Sequence, residues 1–339
     1  MLANETSFEL TAGARGATLL WAPRTRLKAA LFAQRLGADG APQGNAAVLV
    51  KPGEAPGELS DLVATAREDE LVAAWVERGR ERARARAISQ APGAPARLLE
   101  LGPAWFAPRP ARGNLAVATQ GSSAIAFARG EASPCVDDAS DHCFTFSMQK
   151  IQQGQVDPRG FPLIVPSPCA ESSLAFAVTG RDLHYGVCTR SSGKPVTTLF
   201  TIRAEPEYAR ADPILPGCRP LSVVELGGSV RLVADCDGQR RAARVGPDNS
   251  AVEIEDLPSP ALECQGERAR IRFGGAWFEL DRPRNELQAL LPSVIAPRGS
   301  RAVFTGSTLL VAQAKSAQLE LSRYACRAGI LRQLPAPAQ

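Results

Sequence analysis

Histidine is scarce in this chain of 339 residues, standing only at positions 142 and 184. Nucleophilic triads and His-ligated metal sites need an imidazole at the reacting centre, so one of these two residues would have to carry any such mechanism. His184 falls in the strand-like run LHYGV beside Tyr185, where a hydrogen-bonded polar residue of a strand is a plainer reading than a catalytic base. His142 lies in CVDDASDHC with Asp137, Asp138 and Asp141. Three carboxylates on a loop pinned by Cys135 and Cys143 offer hard oxygen ligands suited to Ca²⁺, although the EF-hand spacing and its glycine are missing. The competing reading is a solvated acidic loop. Paired carboxylates can also support glycoside or lactone chemistry without histidine. Glu205, Glu207, Asp212, Asp235 and Asp237 gather near the ends of repeating units, yet with 35 acidic residues in the chain such gatherings are expected. Ser192-Gly193-Lys194 is not a phosphate loop, because no glycine precedes Gly193 by five residues and Pro195 blocks a helix start.

Eight cysteines form no CxxC motif, which with so little histidine argues against zinc and for disulfides. The spacings suggest Cys135 with Cys143, Cys169 with Cys188, Cys218 with Cys236 and Cys264 with Cys326. Disulfides persist in oxidising compartments, so the expected location is a periplasm, a cell surface or the extracellular space. Residues 1–12, MLANETSFELTA, have neither a charged n-region nor an apolar h-region. The export reading therefore requires a leader already removed. A lipid anchor on a removed N-terminal cysteine is compatible with this reading. No run of 18 apolar residues is present, so no transmembrane helix is expected. A net charge of +4 on a chain this long does not call for nucleic acid.

The elements that must position these residues show themselves by repetition. From Cys169 the chain reads CAESSLAFAVTGRDLHYGVC, and from Cys218 it reads CRPLSVVELGGSVRLVADC: a cysteine, an apolar run, a glycine turn, a second run and a cysteine. Both read as clasped β-hairpins. A third version, CQGERARIRFGGAWFEL, opens at Cys264 without a closing cysteine, so the first cysteines are 49 and then 46 residues apart. Earlier in the chain TLLWA recurs as LVAAW, with Trp21 and Trp75 54 residues apart, and Gly40-Ala41-Pro42 recurs as Gly93-Ala94-Pro95. Segment 67–88 has helix-forming composition. Gly79 interrupts it, and Arg82, Arg84 and Arg86 alternate with period two, which favours strands. On that reading these arginines line one face of a charge-protected edge strand.

A period near 50 with four short strands per unit predicts an all-β fold, a β-propeller. The expected form is a single domain over 1–339 with seven blades, six being the alternative because the sixth unit is abbreviated. The approximate units are 13–52, 53–103, 104–166, 167–216, 217–259, 260–296 and 297–339. Residues 7–12 would complete the last blade and latch the ring. Trp105-Phe106 and Trp277-Phe278 are expected in the core between blades.

In repeat period and strand pattern the chain resembles secreted bacterial β-propellers. It is similar to kelch proteins in the paired glycines Gly227-Gly228 and Gly274-Gly275, and departs from them in lacking their regularly spaced Tyr and Trp. It also lacks the Gly-His and Trp-Asp pairs of WD40 repeats. The resemblance implies architecture only. Two functions fit the residues. One is a non-catalytic binding or assembly module of the cell envelope or extracellular space, meeting a protein or envelope component through rim loops such as 135–143 and needing no cofactor. The alternative is a carboxylate-based hydrolase or lyase, with or without Ca²⁺. Converging Asp, Glu and Asn at the ring axis would favour the enzyme; a mixed lining would favour the module.

Overall fold

The computed structural model describes residues 6–335 apart from 24–28, 56, 68–69, 80–81, 105–114, 121–122, 135–141, 158–160, 166–174, 180–182, 190–195, 204–207, 258–261, 274–275, 281–290, 293, 298 and 316–317. Every regular element among the described residues is a β-strand, and the strands form seven antiparallel sheets, each built from consecutive strands. The first sheet holds β1 (Thr6–Gly13), β2 (Gly16–Pro23), β3 (Ala29–Leu36) and β4 (Ala47–Ala55); the second holds β5 (Glu58–Arg67), β6 (Glu70–Arg78), β7 (Ala83–Gln90) and β8 (Arg97–Ala104). The third comprises β9 (Leu115–Gln120), β10 (Ser123–Pro134), β11 (His142–Gln152), β12 (Gln155–Val156) and β13 (Phe161–Val165), the last two both pairing with β11. The fourth is β14 (Ala175–Thr179), β15 (Leu183–Thr189), β16 (Val196–Arg203) and β17 (Tyr208–Pro216); the fifth is β18 (Cys218–Leu226), β19 (Ser229–Cys236), β20 (Gln239–Val245) and β21 (Ala251–Asp256). The sixth has β22 (Leu262–Gln265), β23 (Arg268–Phe273) and β24 (Ala276–Glu279), and the seventh has β25 (Arg301–Phe304), β26 (Leu309–Lys315), β27 (Gln318–Arg327) and β28 (Ile330–Gln333).

Side chains of a strand alternate between its two faces, and β6 shows what this does for the architecture. Leu71, Ala73 and Trp75 pack into a core shared with the first sheet, while Val72, Ala74 and Val76 pack into one shared with the third. A sheet buried on both faces has to stand between two neighbours, and a series of such sheets closes into a ring. Further cores join the fourth sheet to the fifth and the seventh to the first. The leading strands meet in succession, β1 with β5, β5 with β9, β9 with β14, β14 with β18, and β25 with β1. The chain is thus an all-β propeller, with these leading strands innermost.

Turn chemistry follows the glycines where the backbone requires them. Gly227 and Gly228 take φ of 58° and 72° and join β18 to β19 in a two-residue hairpin, a conformation that strains any residue bearing a Cβ. Gly40 combines φ of 78° with tight packing: a Cβ there would come within 2.5 Å of Leu310 Cδ2 and 2.8 Å of Arg323 Cδ, across the junction of the first and seventh sheets.

Four expectations need correction. Residues 7–12 do not complete the last blade, because β1 pairs along its whole length with β2 in the first sheet. Closure is made face to face instead, by Phe8, Leu10 and Ala12 packing with Val303, Leu310 and Ala312. Strand β7, with Arg84 and Arg86, is not an edge, since it lies between β6 and β8. Its Ala83, Ala85 and Ala87 are buried as expected, and Arg86 Nε contacts the buried Glu77 Oε2 at 3.1 Å. Cys264 does not open a hairpin: it sits at the end of β22, before a turn through Gly266 into β23. Of Trp277-Phe278, only Phe278 is packed against a core, and Trp277 remains 39% exposed.

Candidate functional site

The sixth sheet departs from the two-faced rule. Registers place Leu262 opposite Ile271 and Ile271 opposite Phe278, with Cys264 opposite Ala269, so these residues share one face. That face enters a single core with Val224, Leu226 and Val233 of the fifth sheet and Ala302, Phe304, Leu309 and Val311 of the seventh. Phe278 lies over Gly227, where a Cβ would come within 2.6 Å of the ring, and beneath the Arg231 guanidinium at 4.8 Å. Burial lowers the Arg231 pKa from its ordinary value, with Glu253 acting in the opposite direction.

The opposite face of the same sheet is open to solvent. Arg268, Arg270 and Arg272 occupy alternate positions of β23, Glu263 stands across from Arg270 on one side and Glu279 on the other, and Trp277 stands across from Arg272. Two of these arginines are committed within the sheet. Arg268 Nη1 donates to Glu279 Oε2 at 3.1 Å; Arg270 Nη1 donates to Gln265 Oε1 at 2.9 Å, its Nη2 lies 3.7 Å from Glu263, and its guanidinium stacks 4.2 Å from the Trp277 ring centre. Arg272 makes no ion pair among the described residues. The face therefore presents a guanidinium ready for a carboxylate beside an indole held in place by a second guanidinium. Arg and Trp are the residue types that most often dominate binding energy at interfaces.

The leading strands β1, β5 and β25 carry polar contacts of their own. Arg301 Nε on β25 donates to Glu9 Oε2 on β1 at 2.8 Å, which ties the last sheet to the first. On β5 the Ser60 hydroxyl accepts from Arg78 Nε at 3.0 Å, and Asp61 takes φ of 52° at a bulge between Ser60 and Val63. Leu59 and Leu62 flank them, both buried.

Of the carboxylates singled out in the sequence, the described Asp212, Asp235 and Asp237 take separate local roles. Asp235 accepts from Gly238 N at 2.7 Å inside the turn from β19 to β20, where Asp237 has φ of 56°. Asp212 on β17 accepts from Asn249 Nδ2 at 2.8 Å, which bridges the fourth and fifth sheets. These are turn and inter-sheet roles. Glu205 and Glu207 lie outside the described residues, as do Asp137, Asp138 and Asp141 and the side chains of His142 and His184. Among the described residues no group of three metal-ligating side chains occurs.

Of the expected disulfides, Cys218–Cys236 and Cys264–Cys326 are present, with Cα separations of 4.2 and 5.5 Å. The pairings of Cys135 with Cys143 and of Cys169 with Cys188 lie outside the described residues. No described helix is long and apolar enough to cross a membrane. The Arg272–Trp277 pair was not found from the sequence, although the signal was there: arginines alternating with Ala269 and Ile271 mark a strand with one wet face.

The chain matches no protein-family model and no curated protein. Among solved structures it is similar to a puromycin-hydrolyzing peptidase of Mycobacterium tuberculosis, with TM-score 0.52 and 11% identity over 98% of this chain and 54% of that one. It also aligns with a Trypanosoma rangeli sialidase, with TM-score 0.43 and 10% identity over 95% of this chain and 59% of that one. A neuraminidase-like protein from A/bat/Guatemala/164/2009 aligns with TM-score 0.43 and 9% identity, over 94% and 82% of the two chains. The chain spans little more than half the length of the peptidase and of the sialidase. At such identities the likeness is one of fold.

Proposed function

We propose that this chain is a non-catalytic binding or assembly module of the cell envelope or extracellular space. In this reading the seven sheets form one domain, a rigid ring reinforced by disulfides. The observation that carries the proposal is the solvent-facing side of the sixth sheet, where Arg272 and Trp277 stand directly opposite each other. Its uncommitted guanidinium and half-exposed indole suit a protein segment that sets a carboxylate beside an apolar side chain. The acidic loop 135–143 is a second contact of the same module, for a basic surface or Ca²⁺. The disulfides support an oxidising location, and a lipid anchor is compatible with it.

A photo-crosslinking residue placed at position 277 in the full chain, in intact envelopes, should give one recurrent product that Arg272→Glu abolishes. The same group at the exposed Lys315 serves as control. Products indistinguishable from the control would remove the sixth sheet from the proposal. The alternative, a carboxylate hydrolase, would start from Asp61, a carboxylate with a left-handed backbone on the leading strand β5. Turnover of chromogenic glycoside, lactone or peptide substrates, lost in Asp61→Asn, would establish the enzyme over the module.

A further inference from the structure

The two described disulfides tie different things. Cys218 and Cys236 are direct partners across one hairpin, both buried, and the ladder between β18 and β19 holds their strands together in any case. Cys264 and Cys326 lie 62 residues apart and join the sixth sheet to the seventh. Among the described residues this is the covalent bond between two sheets. The sixth sheet shares no backbone ladder with a neighbour. Among the described residues its remaining hold is the one-faced core it shares with the fifth and seventh sheets, the Phe278 contact with the fifth sheet, and a backbone bond from Gly329 N to Gly266 O at 3.2 Å.

We infer that Cys264–Cys326 is a redox-sensitive latch, and that its reduction lets the sixth sheet open as a unit while the rest of the ring stays folded. Cys264 is the least buried of the four cysteines in the two described disulfides and is the end a reductant meets first. The reductant is a dithiol. Its thiolate attacks Cys264 Sγ, the bond between the protein sulfurs breaks, and Cys326 leaves as a thiolate that takes a proton from solvent. The second thiol of the reductant then attacks its own sulfur in the mixed disulfide and releases Cys264, which is protonated in turn. The reductant ends as a disulfide, and the protein has gained two electrons and two protons. Opening uncovers Val224 and Leu226 of the fifth sheet and Phe304 and Leu309 of the seventh, an apolar seam that the closed form hides. The device thus switches the ring between a polar outer face and an apolar one.

Hydrogen exchange followed by mass spectrometry on the full chain tests this. In C264S/C326S, peptides covering 262–280 should exchange about tenfold faster or more, as expected for a locally opening unit. Peptides covering 71–90 and 229–236 should keep their wild-type rates. C218S/C236S should leave 262–280 unchanged. Unchanged exchange over 262–280 in C264S/C326S would overturn the latch, and so would a uniform rise over all sheets, which would make the bond a general staple. If C264S/C326S does not fold, a dithiol titration of the folded wild type with the same readout decides between local opening and the other two outcomes.

Discussion

The second and sixth sheets put the same strand alternation to different uses. In β6 odd positions fill one core and even positions another, so Trp75 is completely buried and even the neighbouring glutamate, Glu77, is 6% exposed. In β23 and β24 one set of positions fills a core and the other meets water, so Trp277 keeps 39% of its surface exposed. A sheet with two apolar faces is held by both neighbours. The sixth sheet meets both neighbours through one face and leaves the other to water. The comparison separates sheets packed on two faces from the one whose second face, on the proposed reading, meets a partner.

Substituting the two tryptophans should give the widest contrast. Trp75→Ala empties a site enclosed by two sheets and should cost about 3–5 kcal/mol in urea denaturation. Trp277→Ala should cost no more than about 1 kcal/mol, most of it the lost stacking with Arg270. Comparable losses would mean that the sixth sheet is not one-sided in solution. Glycine substitutions come next. Gly40→Ala combines positive φ with a clash at the junction of the first and last sheets and should cost more than about 1 kcal/mol. Gly227→Ala should act mainly through Phe278, raising exchange in 276–280 more than in 71–90. Glu9→Gln removes one partner of a half-buried ion pair and should cost about 1–3 kcal/mol, read as a lower unfolding midpoint.

The smallest expected effect concerns the outermost strand of the fifth sheet. Arg244 Nη2 donates to Glu253 Oε1 at 2.7 Å and holds that carboxyl below the usual carboxylate range. A folded pKa depressed below the unfolded one stabilises at pH above the unfolded value, and this contribution is lost as pH falls through the folded value. NMR titration should therefore show Glu253 titrating at higher pH in Arg244→Gln. The pair is exposed, so the midpoint of urea unfolding at neutral pH should not move measurably.

Much of this architecture could be read from residues that repeat. Trp21 and Trp75 fall in the second strands of the first two sheets, and Leu19-Leu20 and Leu309-Leu310 fall in the second strands of the first and seventh. Repeating turns and apolar alternation carry that information because every sheet of a propeller solves the same packing problem. Two features are not settled by the local pattern that suggests them. The pairing of β1 with β2 rather than with the last sheet turns on which partner an apolar strand chooses, and SFELTA alone fits both. The role of Cys264 was misassigned because cysteine spacing imitated the two hairpins before it, whereas its register with Ala269 puts it at a strand end. The exposed face of β23 was legible in its alternation, but whether a neighbour covers that face is a tertiary fact.

Closure by face packing also bears on how the chain reaches its native state. Each sheet is an uninterrupted stretch of sequence, so its hairpins can form from local contacts as soon as that stretch leaves the ribosome, without waiting for a strand from the far terminus. The contacts that complete the circle bring together residues nearly the whole chain apart: Glu9 with Arg301, the Thr305 hydroxyl with Ala38 O at 2.7 Å, and Arg323 Nη1 with Asp39 O at 2.8 Å. They are expected to form last. Until they do, Phe8, Leu10, Val303 and Leu310 remain uncovered, and the nascent arc is most prone to associate with another copy of itself during that interval.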